Sequence, residues 1–177
     1  MHCQVSEFEE RVCEVKRVTK VVKGGKQMSF RAVVIVGNKK GSIGVGVAKA
    51  KEVVIAVQKA VSDAKKNMCS VPITSVSSVP HRAWLKGDGA ASIIVRPAKQ
   101  GSGITAGGSV RSVLELAGYK NVNAKMCGGT NALSNARAIV DALKQMRTPE
   151  QGAEARGLTT EEIYQRMASA RTTRAGA

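Results

Sequence analysis

The sequence predicts an α+β protein in two units, and three observations carry that reading. Apolar residues alternate with a period of two over residues 28–36 and 43–47, and the next run steps by three and four. A stretch rich in serine with two prolines, residues 70–80 (SVPITSVSSVP), separates this half from the next. In the second half a short apolar strand, a glycine-rich turn, a helix, a strand and another helix follow one another. The chain has 177 residues, 43% of them apolar, enough for a buried core. No run approaches the ~18 apolar residues of a membrane span, so a membrane protein is not expected.

The first unit is assigned to residues 11–70, after an extension over residues 1–10. Residues 15–22 are rich in β-branched side chains and read as a strand ending at Gly24-Gly25. In the second strand Met28, Phe30, Ala32, Val34 and Val36 share a face; in the third, Ile43, Val45 and Val47 do. The turn between them is GNKKG, residues 37–41. Val54, Val57, Val61, Ala64 and Met68 form the apolar stripe of a helix, with Lys59 and Lys66 opposite. A three-stranded sheet backed by a helix results.

Residues 71–80 read as a linker and residues 81–148 as the second unit, in β-α-β-α order. Its first strand covers residues 92–97 and its glycine-rich turn residues 101–108. The helix that follows has Val110, Val113, Leu114 and Ala117 on its core side and Gly118 at its C-terminal end. Residues 121–127 form the next strand, and Leu133, Ala136, Val140 and Leu143 mark the core face of the last helix. The tail, residues 149–177, is charge-balanced, and Thr159 with Glu162 reads as the capping box of a helix.

Lys and Arg number 28 against 13 Asp and Glu, a net charge of +15. The excess is concentrated: Lys16, Arg17, Lys20, Lys23, Lys26, Arg31, Lys39, Lys40, Lys49 and Lys51 occur with no carboxylate among them. A merely solvated surface mixes signs; a run of one sign fits a surface that binds a polyanion. Gly24 and Gly25 at the hairpin tip would let the backbone approach it, and His81, Arg82 and Arg96 are candidate contacts in the second half. The aromatic residues Phe8, Phe30, Trp84, Tyr119 and Tyr164 are scattered and read as core or anchor residues, not base-stacking platforms. That favours folded, double-stranded RNA over single strands, and no helix has the pattern for reading DNA bases.

Catalytic chemistry finds little support. The histidines are His2 and His81 and the aspartates Asp63, Asp88 and Asp141, and neither a nucleophile elbow nor a Walker sequence occurs. Gly101, Gly103 and Ala106 spell the outline of a dinucleotide fingerprint, but residues 120–127 (KNVNAKMC) lack the acid that should hold the ribose. No cofactor is expected; a structural turn, or close approach to a phosphate or a partner protein, remains. Cys3, Cys13, Cys69 and Cys127 include no CxxC pair, so zinc is not expected and the thiols read as reduced, with a disulfide as the weaker alternative. Residues 1–10 carry three Glu and no apolar core, unlike a secretory or transit segment. An NAD-type enzyme and a free RNA-binding regulator or chaperone are the competing readings.

Residues 17–26 (RVTKVVKGGK) followed by Ser29-Phe30-Arg31-Ala32 closely resemble the start of the small-subunit ribosomal protein five family, bacterial and plastid type. GVGVAKAKEV (44–53), Pro97-Ala98, GSGITAGG (101–108), GGTN (128–131) and NARA (135–138) fall in that family's order, from about residue 11 to about residue 146. The resemblance implies a double-stranded-RNA-binding-like domain followed by a C-terminal α+β ribosomal domain. It implies a structural constituent of the small subunit that binds its rRNA, stabilises the head relative to the body and contributes to translational accuracy. Its implied neighbours are ribosomal proteins four and eight and the messenger entrance. The hairpin from Lys20 to Lys26 would be the arm reaching rRNA, and Gly103 and Arg111 would lie on the face that meets protein four. Residues 18–27 and 79–82 look most like plastid and cyanobacterial members, implying a ribosome of the chloroplast stroma, with the bacterial cytoplasm as the alternative.

Overall fold

The computed structural model describes residues 8–87, 89–159 and 161–162. Two four-stranded sheets packed with helices make the α+β architecture that the sequence predicts. In the first, β1 (Glu9–Val22), β2 (Gly25–Gly37), β3 (Ser42–Ala50) and β4 (Met68–Ser70) pair antiparallel in that order, and α1 (Val53–Lys66) crosses one face. The second has β5 (Ala83–Lys86), β6 (Ser92–Pro97), β7 (Ile104–Thr105) and β8 (Val122–Met126) in the order β5-β6-β8-β7. Its helices are α2 (Gly108–Ala117) and α3 (Ala132–Lys144), and α4 (Pro149–Glu154) follows. The expected β-α-β-α order is that of β6, α2, β8 and α3; the short strands β4, β5 and β7 extend the sheets at their edges.

The α1 stripe is phased differently from its expectation. Ala56, Ala60 and Ala64 are buried, whereas Val54 is 66% exposed and Met68 belongs to β4. Close approach decides this. A Cβ at Gly46 would lie 2.1 Å from the Ala60 carbonyl oxygen, and one at Gly44 would lie 2.3 Å from that of Ala64. The helix backbone therefore sits directly on β3, where only alanine fits, and Val57 and Val61 pack along the sides. The carboxylate of Asp63 fixes the helix further by accepting the Val47 N–H at 2.9 Å.

β2 is buried on both faces. Ala32, Val34 and Val36 pack under α1, while Ile35, with Ile43 of β3, joins the core of the second unit beside Val113, Leu114 and Leu116. The turn after β2 is bonded to the end of α2: the Lys39 N–H donates to the Leu116 carbonyl and the Gly41 N–H to that of Ala117, both at 2.9 Å. Gly118, at φ +102°, closes α2 as expected and abuts the backbone of Lys39.

Residues 71–80, read as a linker, are packed and hydrogen-bonded against the second unit. Val71 and Val79 belong to the core, and the Pro72, Val76 and Ser77 carbonyls accept from the Tyr119 hydroxyl (2.7 Å), the Asn121 amide (2.9 Å) and the Lys120 N–H (2.8 Å). Thr148 caps α4 through a box with Gln151. The reciprocal bonds of Thr159 and Glu162 are also made; the rest of the tail, where the sequence predicts a helix, lies outside the described residues.

Adding a methyl at Gly46 should force α1 off the sheet. Gly46→Ala is expected to lower unfolding free energy by roughly 1–3 kcal/mol in urea titrations. Gly24→Ala, with no atom within 4 Å of its added methyl, should change it by less than about 0.5 kcal/mol.

Candidate nucleic-acid interface

The β1–β2 hairpin outruns its neighbour. β3 pairs with β2 only as far as Phe30, opposite Ala50, so residues 18–22 and 25–29 continue as a two-stranded arm of about 15 Å. Register then sorts the cations. Lys16 lies opposite Arg31, and Arg31 opposite Lys49, so three cations cross three strands in one row on the face turned away from α1. Adjacent strands are ~4.8 Å apart, and like charges directly opposite repel. Lys20, opposite Gln27, extends the same face toward the tip.

The row is only partly compensated. Glu14 pairs with Lys16 at 2.9 Å, yet Glu14 Oε2 and Arg31 Nε are buried without a hydrogen-bond partner. Lys23 and Gly24 form the loop at the tip, and Gly25 follows at φ +128°. Of the two glycines, only Gly25 needs the left-handed region; Gly24 simply faces open space. Arg17 and Lys26 fall on the α1 face of the arm with the exposed Met28 and Val21, and Lys51 lies in the bend before α1.

Other expected contacts lie apart from this cluster. Lys39 and Lys40 occupy the turn at the far end of β2, on the order of 40 Å along the strand from the tip, and Lys39 pairs with Glu9. His81 serves the structure, since its Nδ1 faces the Arg82 carbonyl at 3.0 Å and its Nε2 accepts the Arg147 N–H at 3.4 Å. Arg82 and Arg96 are exposed on the second unit. The turn before α2 is braced internally, because Asn121 Oδ1 accepts the N–H groups of Gly101 (3.0 Å) and Gly103 (3.4 Å). Those donors are therefore committed within the chain and not free for phosphate. Gly103, at φ +73°, has open space around it.

Arg111 points away from the core and has a partner on its own helix: its Nε donates to Glu115 at 2.7 Å. The same carboxylate takes Arg11 of β1, so Glu115 ties α2 to the first sheet. Bonds from Arg111, and then from Arg11, hold its carboxyl below the usual range. Burial pushes the thiols of Cys13 and Cys69 up and keeps them protonated near neutrality. The sequence reading missed the place of Trp84, which is 70% exposed and lies in no core. Tyr119 is buried as expected; Tyr164 lies outside the described residues.

Among the described residues no cluster of three or more His, Cys, Asp or Glu could hold a metal, and no helix is long and apolar enough to cross a membrane. Fold and charge together define a small, basic, two-unit α+β protein whose candidate site is a displayed cationic arm. The model of ribosomal protein S5, N-terminal domain, matches residues 8–72, and that of the S5 C-terminal domain matches residues 87–156. The chain belongs to the ribosomal protein S5 family. Small ribosomal subunit protein uS5c of Rhodomonas salina is 57% identical over 156 residues, covering 88% of this chain and 92% of that protein. Protein uS5 of Synechococcus elongatus is 53% identical, covering 90% and 88% respectively, and uS5c of Porphyra purpurea 53%, covering 89% and 90%. A structural, non-enzymatic role in the small ribosomal subunit follows from this membership.

The Glu115 bridge makes a pH prediction. A carboxyl whose folded pKa is depressed stabilises fully above its unfolded value, near 4.5, and loses that contribution as pH falls through the folded value. Glu115→Gln should cost roughly 0.5–1 kcal/mol at pH 7, as a surface bridge does. The gap in thermal midpoint between it and the unmodified protein should close as pH is lowered below about 4.5.

Proposed function

We propose that the arm grips small-subunit rRNA by its phosphates, with Lys16, Lys20, Arg31 and Lys49 on one face, Arg17 and Lys26 on the other, and Lys23 at the tip. Lys51 continues this surface at its base. The observation that carries the reading is the row Lys16, Arg31, Lys49: fixed side by side by strand register, these cations are relieved by a polyanion and strained without one. Through this grip the protein stabilises the head of the subunit relative to its body and contributes to translational accuracy. Gly103 and Arg111 face ribosomal protein four, and protein eight and the messenger entrance lie nearby. Supporting this are an open surface at Gly103 and the side chain of Arg111, 58% exposed despite its bond to Glu115. The relatives in plastids and cyanobacteria favour a ribosome of the chloroplast stroma, with the bacterial cytoplasm as the other setting.

Binding to folded small-subunit rRNA should therefore be dominated by charge. Each neutralised phosphate contributes ~0.7–0.9 to the slope of log K against log salt, so five to eight contacts give a magnitude of about 4–7. A filter-binding titration across salt concentrations measures it, and a magnitude under about 2 would contradict the reading. The triple variant Lys20→Ala, Lys23→Ala, Lys26→Ala should lower it by about 2–3.

A further inference from the structure

Alternation along the second sheet leaves one face without a cover. Ile93, Val95 and Val122 turn inward to α2 and α3 and are fully buried. The residues between them turn outward. Register sets Trp84 opposite Ile94 and Ile94 opposite Lys125 across the adjacent strands β5, β6 and β8, with Lys86 and Arg96 one step to either side. Arg82, exposed, continues the alternation from β5. Trp84 is 70% exposed, and its Nε1 donates to Ser92 Oγ at 2.9 Å. That bond pins the indole across β6 and keeps it from projecting freely. Four cations thus surround an aromatic ring and an isoleucine, and among the described residues of this face there is no carboxylate.

We infer that this face is a second RNA site, a stacking platform for two or three unpaired nucleotides whose first base lies on Trp84. An exposed aromatic ring anchored on an open sheet face offers a π-face to a base whatever the sequence, and cations around it take the flanking phosphates. Charge complementarity selects the occupant: an uncompensated set of four cations suits a phosphate chain better than it suits an apolar protein surface. Asn123, opposite Arg96, adds a side-chain amide that can bond a base edge or a ribose hydroxyl. The inference rests on the proposed role in binding rRNA but uses different chemistry and a different unit from the arm. It also alters the sequence expectation for the preferred RNA: single strands gain a place beside duplex.

The chain has one tryptophan, so its emission reports on this site alone. Titrating the full chain with a hexamer of adenylate should quench the emission saturably. Read by fluorescence anisotropy of a labelled hexamer, since these variants carry no tryptophan, Trp84→Ala should weaken hexamer binding about 5- to 100-fold, and Trp84→Phe should retain most of the affinity. Arg96→Ala with Lys125→Ala should lower the salt slope for the hexamer by about 1–2. The arm triple variant should leave the quenching unchanged while losing folded rRNA, which separates the two sites. Unchanged emission of the unmodified chain on adding hexamer, or equal hexamer affinity for Trp84→Ala, would overturn the inference and leave the face to a protein, whereas folded-rRNA binding that survives the arm triple substitution, with intact quenching, would strike only the arm.

Discussion

The backbone bonds from Lys39 to Leu116 and from Gly41 to Ala117 join the turn after β2 to the end of α2, and both units depend on that junction. Gly37 and Gly118 allow it from opposite sides: a Cβ on the first would lie 2.3 Å from the Leu116 carbonyl oxygen, and one on the second 2.2 Å from that of Lys39. With the backbones this close, Ile35 and Ile43 are withdrawn from water into the core of the second unit. Burying an aliphatic side chain of that size contributes roughly 1.5–3 kcal/mol. A sheet that would otherwise have one wet face becomes the middle layer between α1 and α2.

This layering explains how the arm can carry its charge. Three like charges in adjacent strands oppose pairing, and a two-stranded ribbon is marginal alone. Here the same two strands run on into a region where β2 is buried on both sides, so the ribbon is anchored at its base. Repulsion along the row is then held as electrostatic potential at the surface, available to a phosphate chain. Glu115, taking Arg11 from β1 and Arg111 from α2, adds a second link between the units close to the first.

Much of the architecture was legible in the sequence because period and punctuation agreed. Alternation over residues 28–36 and the Gly118 terminator needed no tertiary information. What was not legible came from packing between elements. The valines of α1 outweigh its alanines on any scale of hydrophobicity, but Gly44 and Gly46 on β3 admit only Ala60 and Ala64. Both faces of β2 being apolar signals a buried middle strand, a sign overshadowed by the Ser and Pro content of residues 70–80, which suggested a linker between the units. In the candidate site, the cationic run was plain, yet only register could show that Lys16, Arg31 and Lys49 form a row and that Lys39 and Lys40 stand apart. Arg111 found a partner four residues on, an i to i+4 pair that the sequence did contain. Trp84 sits on a four-residue strand, too short for alternation to reveal its side.

Amide hydrogen exchange on full-length protein carrying Gly37→Ala tests most directly whether the two units are one cooperative body built around the junction. The substitution crowds only the seam with Leu116. If the account is right, β2, α2 and β6 lose protection together and by similar factors, because all three open through one shared core. Loss confined to α2 and β6, with β2 as well protected as in the unmodified chain, would show two independently stable units and contradict it.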